Sequence, residues 1–251
     1  MENHVINRLL EINLEFYSSF GKAFAATRRR IQPGVRRILD ELPKKGQWLD
    51  IGCGSGALAA AWAEDQERAG LYIGTDFSEV LLDEARRYAA AYKNPALETR
   101  FYRADLADPA WDAPLGEQVF DGILSFAVFH HIPSQDLRLD ILRKINQRLQ
   151  NGGVFIHSEW QYQNSPRLLA RQLPWENAGL HEKDLEEGDT LLDWRFALPG
   201  QKETRGLRYV HIYSRQELQT LAQKSGFEIL SEFESDGKEG NLGLYQIWKK
   251  I

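Results

Sequence analysis

The nine residues Trp48-Leu49-Asp50-Ile51-Gly52-Cys53-Gly54-Ser55-Gly56 constrain this chain more than any other stretch, because an apolar run stops at an acid and opens into a loop with glycine at every second position. The apolar run reads as a strand. The glycines let the backbone turn tightly and come within contact distance of a ligand that any Cβ would hold off. A dinucleotide enzyme needs G-x-G-x-x-G, since a helix N-terminus must cradle its pyrophosphate. The tighter G-x-G-x-G only has to lie against a nucleoside and its substituent.

The segments beyond the loop strengthen that reading. After a helix-compatible stretch from Ala57 to Glu67, a second strand-like run, Gly70 to Phe77, carries Asp76 twenty residues past Gly56, where an acid accepts from both ribose hydroxyls. A third run, Thr99 to Leu106, brings Asp105 to where it accepts from an exocyclic adenine amine. The fourth, Phe120 to Phe129, runs into His130-His131-Ile132-Pro133. Polar and glycine-rich ends on successive strands are where ligands bind in open parallel α/β sheets. Each acid has a plainer reading too: Asp76 as a helix cap, although Ser78 suits that role better, and Asp105 as a turn acid before Asp108-Pro109.

Residues 2 to about 42 read as helical, broken near Gln32-Pro33-Gly34, with the proline starting a second helix. Ser134 is placed to cap a helix over Gln135 to Leu149, and Val154 to Trp160 is the fifth strand. From Gln161 to Tyr213 the alternation is interrupted by Pro166, Pro174, Pro199 and aromatics without a clear period, as in an inserted lid. Ser214 to Glu217 is a capping box opening a helix that Gly226 closes, and Phe227 to Phe233 and Leu242 to Lys249 are a final strand pair. The expected architecture is α/β: a doubly wound seven-stranded sheet, mostly parallel with one antiparallel strand, in a single domain over 1–251. Its parts are an N-terminal helical cap (1–45), a cofactor-binding core (46–160), the lid (161–213), and a C-terminal helix and strand pair (214–251).

Composition narrows the classes. With 43% hydrophobic and 27% charged residues the chain reads as an ordinary globular protein, and no segment approaches the roughly 18 apolar residues of a membrane span. Cys53 is the single cysteine, which excludes an internal disulfide and fits a reducing cytoplasm. The N-terminus lacks the order of a signal peptide, and no Cys/His cluster suggests a metal. A net charge of −5 gives no global attraction to nucleic acid, although five arginines crowd into Thr27 to Arg37. The plain reading of that cluster is a solvated helix face, with room for one arginine directed into the site.

The segments LDIGCGSG, GTDFS, RADL and FDGILSFAVFHHI resemble, in order and spacing, the successive cofactor motifs of class I S-adenosylmethionine-dependent methyltransferases, which share a Rossmann-like fold. The resemblance implies S-adenosylmethionine as cofactor. By it, Asp50 orders the loop of Gly52, Cys53, Gly54 and Gly56, Asp76 holds the ribose and Phe77 packs on the adenine. Asp105 and Leu106 flank the base, and Ser125 and Phe126 lie beside the methionine part. As a nucleophile Cys53 lacks an activator, having no histidine nearby in sequence, and reads as a small packing residue.

Three further segments, Tyr17 to Arg28, Phe126 to His131 and Arg208 to Leu218, resemble the tRNA wobble-uridine carboxymethyl methyltransferases, which esterify a carboxymethyl group. This closer resemblance implies that Tyr17 and Arg28 border the methionine end of the cofactor. It also implies that His131, Trp160, Arg208, Tyr209, His211 and Tyr213 face the substrate; His130 joins them from its place after the fourth strand. Eukaryotic members work with a small zinc-binding partner subunit. They also carry a long basic insertion that this chain lacks. The acceptor is accordingly a tRNA nucleoside or a small molecule such as a quinol, phenol or carboxylic acid, and a non-catalytic S-adenosylmethionine-binding protein would keep the same acids. A phenol needs a base near its working pH, whereas a carboxylate is already deprotonated.

Overall fold

The computed structural model describes residues 1–27, 30–196 and 204–251. The chain opens with a 25-residue helix, α1 (Asn3–Thr27), whose apolar face repeats at Val5, Leu9, Ile12, Phe16 and Phe20. Proline at the first helical position starts α2 (Pro33–Glu41). Strands and helices then alternate: β1 (Lys45–Ile51), α3 (Ala57–Glu64), β2 (Ala69–Asp76), α4 (Glu79–Ala89), β3 (Leu97–Arg103), β4 (Phe120–Phe126), α5 (Gln135–Arg148) and β5 (Leu149–Trp160). Next come α6 (Pro166–Leu169), β6 (Gln172–Leu173), β7 (Asp189–Phe196) and β8 (Thr204–His211). The chain ends with α7 (Arg215–Lys224), β9 (Phe227–Ser235) and β10 (Gly243–Lys250).

The main sheet has seven strands in the order β3-β2-β1-β4-β5-β10-β9, and only β10 runs against its neighbours. Strand order reverses between β1 and β4, the switch point at which open α/β sheets bind ligands beyond their carboxyl ends. Both faces are covered because neighbouring residues on each strand point to opposite sides. Leu49, Ile123 and Phe155 pack with Ile141 and Leu221 of α5 and α7. Their neighbours Trp48, Leu124 and Ile156 pack with Ile38 and Trp62 of α2 and α3. Among the described residues no helix is long and apolar enough to cross a membrane.

Residues 161–213 hold a three-stranded antiparallel sheet, β6-β7-β8, where the sequence shows no clear period. The polar/apolar alternation is erased because both faces are covered. Leu191 and Tyr209 pack under Val5, Leu9 and Ile12 of α1, and Leu192 and Val210 pack with Tyr162.

Helix caps differ from expectation at two positions. The Ser134 side chain makes no capping bond, because the residue sits at φ 70, and Glu186 accepts from the first helical N–H, that of Gln135, at 3.0 Å. Ser78 also makes no side-chain cap. Ser214 does accept from Glu217 N at 3.1 Å, but the Glu217 carboxylate turns to Arg138 and His211 instead of closing the box.

Candidate functional site

Beyond the ends of β1, β2 and β4 lies a cavity of about 860 Å³, inside the roughly 300–1,000 Å³ range of small-ligand pockets. The glycine loop forms its floor, with Gly52, Gly54 and Gly56 all in the left-handed region at φ 71, 55 and 80. Gly52 and Cys53 donate to the Thr75 carbonyl, and Gly54 N donates to Asp76 Oδ2 at 3.0 Å. A Cβ on Gly54 would meet nothing within 4 Å, so bare backbone faces the cavity there, a surface that suits a flat nucleoside. Gly56 corrects the sequence reading. It does not line the cavity, and its missing Cβ instead lets α3 approach α4, where it would lie 2.7 Å from Ala85 Cα.

Asp50 and Asp76 both reach the cavity. Burial pushes Asp76 up to about 6, against the pull of the Ser78, Gly54 and Phe77 N–H groups. Burial also raises Asp50 to about 7, opposed by a 2.5 Å hydrogen bond from Tyr72 and helped by the nearby Asp76. The same burial, with Asp50 and Asp76, pushes the Cys53 thiol well above its ordinary value and keeps it protonated. Asp105 lines the cavity from an exposed position while its Oδ1 accepts from Ala107 N at 3.0 Å, so the turn acid and the cavity acid are one residue. Phe77, Leu106, Phe126 and Tyr17 complete this half. Ser125 does not: adjacent strand residues face opposite ways, and with Phe126 on the cavity Ser125 is fully buried behind it. Arg28 lies outside the described residues. The bare glycine backbone and the Asp76 carboxylate fit the nucleoside of the implied cofactor.

The other half is built on a short 3₁₀ turn, Phe129–His131. Ala127, at φ 59, hands its N–H to the Ser158 carbonyl and hydroxyl at 3.0 and 3.1 Å and turns the chain back toward the cavity. Tyr209 O lies 3.1 Å from His131 Nδ1 and has only lone pairs to offer, so Nδ1 carries the proton of that bond. Nε2 then accepts, and it faces Arg208 Nη2 at 2.7 Å and the Tyr17 hydroxyl at 3.0 Å. Arg208, 3% exposed, also lies over the Trp160 ring at 5.1 Å. His130, His131, Trp160 and Arg208 all line the cavity.

His211, Tyr209 and Tyr213 do not. Arg208 and His211 are three apart on β8 and therefore point to opposite faces. His211 is 1% exposed and sits between Asp189 (2.7 Å) and Glu217 (3.0 Å), beside Arg138, which also reaches Glu186. Burial opposes its charge, yet the two carboxylates outweigh that and raise its pKa. This cluster joins β7 and β8 to α5 and α7. Tyr213 donates to the Phe129 carbonyl.

Two cavity residues escaped the sequence reading. Asn13, a buried polar residue on the apolar face of α1, accepts Tyr209 N at 3.0 Å. Glu159 stands beside His130, and the signal for it was an acid next to last in the strand that ends at Trp160. Among the described residues no group of His, Cys, Asp and Glu is arranged to hold a metal ion.

Residues 24–232 match the family described as a methyltransferase domain. A putative methyltransferase of Encephalitozoon cuniculi is 29% identical over 217 residues, 86% of this chain and 86% of that protein. The tRNA (carboxymethyluridine(34)-5-O)-methyltransferase of Schizosaccharomyces pombe is 24% identical over 86% of this chain and 88% of its own length. Its Saccharomyces cerevisiae counterpart is 28% identical over 62% of this chain, which spans only 51% of that enzyme. Among solved structures, an S-adenosylmethionine-dependent methyltransferase from Clostridium acetobutylicum superposes with a TM-score of 0.61 at 15% identity, covering 94% of this chain and 98% of that one. The S-adenosylmethionine-bound amino pentose methyltransferase CalS10 reaches 0.58 at 19% identity, covering 91% and 96%. These likenesses establish a shared fold.

Proposed function

For this chain, which belongs to the methyltransferase domain family and uses S-adenosylmethionine, we propose that the methyl acceptor is the carboxymethyl group of a tRNA wobble uridine. One observation carries the reading. The Nε2 lone pair of His131 is directed at the permanently charged Arg208 and at Tyr17, so this histidine is held as an orienting group and is not poised as a base. The cavity wall thus presents a guanidinium, which suits an anion. A carboxylate acceptor is such an anion and arrives deprotonated.

When bound, the cofactor supplies an electrophilic methyl group on a sulfonium. The residues of this chain do the positioning: Asp76 takes the ribose hydroxyls, the backbone at Gly54 lies against the nucleoside, and Arg208 draws the acceptor carboxylate into line. Trp160 offers a ring face to a base. A small zinc-binding partner subunit belongs to the same reading. The relatives named for carboxymethyluridine support it.

A second reading, a phenolic small molecule, is favoured by the close approach of His130 to the buried Glu159, a carboxylate–imidazole pair able to serve as a base. Labelled S-adenosylmethionine and total tRNA bearing carboxymethylated wobble uridine separate the two. The tRNA reading expects an alkali-labile methyl ester in the RNA and a rate with no base titrating near pH 6 to 7. Unlabelled tRNA, together with a base-dependent rate on a phenol, would overturn it.

A further inference from the structure

The first helix changes sides of the small sheet. Val5, Leu9 and Ile12 pack with Leu191 and Tyr209 on one face. Phe16 and Phe20 instead meet Trp194, at 5.2 and 4.7 Å between rings; Trp194 is three positions on from Leu191 and so lies on the other face. α1 therefore crosses the edge of β8, the outer strand, which pairs only with β7 among the described residues. Every second residue of such an edge turns its N–H and C=O outward, and buried there they need partners. At Tyr209 both are taken by side chains of the cavity wall. Asn13, 7% exposed at the crossing, accepts from Tyr209 N at 3.0 Å, and His131 Nδ1 donates to Tyr209 O at 3.1 Å.

A backbone N–H can only donate, which fixes the Asn13 amide with its oxygen toward β8. Its NH2 is left beside His131, 3.4 Å from both the carbonyl oxygen and Nδ1. In a catalytic triad a carboxylate occupies this place and stabilises the imidazolium; here it is the positive end of an amide. Arg208, Tyr17 and His130 also face the ring, with Glu159 behind His130. Arg208 Nη2 donates to His131 Nε2 at 2.7 Å and to the Tyr17 hydroxyl at 3.1 Å, so the guanidinium keeps its aim only while Nε2 is bare. We propose that Asn13 is a positioning residue for the methyl acceptor: by holding β8 and the His131 ring in one register, it keeps the Nε2 lone pair on Arg208 and Arg208 on the acceptor. The inference rests on the reading of Arg208 as the group that draws in a carboxylate.

Nuclear magnetic resonance of the full chain, with nitrogen-labelled histidine and loaded with S-adenosylhomocysteine, reads the ring directly, His131 being the signal lost in His131→Gln. Wild type at pH 7 should show His131 protonated at Nδ1 and bare at Nε2. Asn13→Leu should let both tautomers appear and weaken calorimetric binding of the nucleoside 5-carboxymethyluridine at least about tenfold, with affinity for S-adenosylhomocysteine within about twofold of wild type. Asn13→Asp still accepts from Tyr209 N but sets a carboxylate beside Nδ1. Its His131 should take a second proton, on Nε2, at a pH at least about one unit above that of wild type. At pH 8.5, with that proton gone, this variant should bind the nucleoside within about threefold of wild type. Wild-type His131 protonated at Nε2, an unchanged tautomer and nucleoside affinity in Asn13→Leu, or equal losses of nucleoside and cofactor affinity would each overturn the assignment. The wild-type spectrum and Asn13→Asp decide the matter even if Asn13→Leu does not fold. Failure of wild type to bind the nucleoside, with the tautomer in place and lost in Asn13→Leu, would sink the carboxymethyluridine reading alone.

Discussion

The two oxygens of Asp76 accept from Gly54 and Ser78, so the acid placed to hold the ribose also clamps the glycine loop to the start of α4. Its raised value of about 6 makes the cofactor site pH-sensitive. A carboxyl raised on folding stabilises the empty protein below its unfolded value, and that contribution is lost as pH rises through the folded one; Asp50, raised to about 7, acts in the same direction. Ribose hydroxyls donate to the ionised form and reverse the trend, so the thermal shift produced by S-adenosylhomocysteine should be larger at pH 7.5 than at pH 5. Asp76→Ala should weaken binding by at least about tenfold, two charge-assisted hydrogen bonds being worth roughly 1.5–3 kcal/mol each. Melting curves with and without ligand check both, and a shift independent of pH would refute the first. Asp50, Asp76 and Asp105 were legible because each ends a strand-like run. Ser125 and His211 were misread because a strand alternates, and residues one or three positions apart cannot share a face.

At the scale of elements, the β6-β7-β8 sheet is held to the main domain by a buried ion cluster. Arg138, fully buried on α5, pairs with Glu186 at 3.0 Å and Glu217 at 3.2 Å, while His211 bridges Asp189 and Glu217. Removing one member of a buried cluster strands the others. Arg138→Met should therefore cost about 3–5 kcal/mol in denaturant unfolding. His211 is raised by its carboxylate neighbours against burial, so its contribution is present at low pH and is lost as pH rises through its folded value. The melting-temperature gap between wild type and His211→Asn should be widest near pH 6 and shrink toward alkaline pH. A gap that grows with pH would rule out the charged imidazole. The cluster was invisible in the sequence because its members come from α5, β7, β8 and α7 and the loop before β7, and only packing brings them together.

For the whole molecule, a net charge of −5 means that affinity for RNA must come from local cations. Arg30 lines the cavity, and Arg36 lies exposed on α2 next in the chain to the cavity-lining Val35. If these two meet phosphates, tRNA binding should weaken roughly tenfold between 50 and 200 mM salt, and the double change to Gln should remove most of that dependence. Filter binding across salt concentrations reads the slope directly, and an unchanged slope in the double variant would place the RNA elsewhere. The sequence alone determined the parts that depend on local geometry: the glycine loop, because left-handed backbone needs glycine, and the succession of strands ending in acids, because spacing puts them at one edge of a parallel sheet. Tertiary structure decided which side chains meet across the cavity. His131 and Arg208 are 77 residues apart, and Asn13 and Tyr209 are 196 apart. No local period relates such pairs; they are brought together because β8 packs both on α1 and on the turn Phe129–His131.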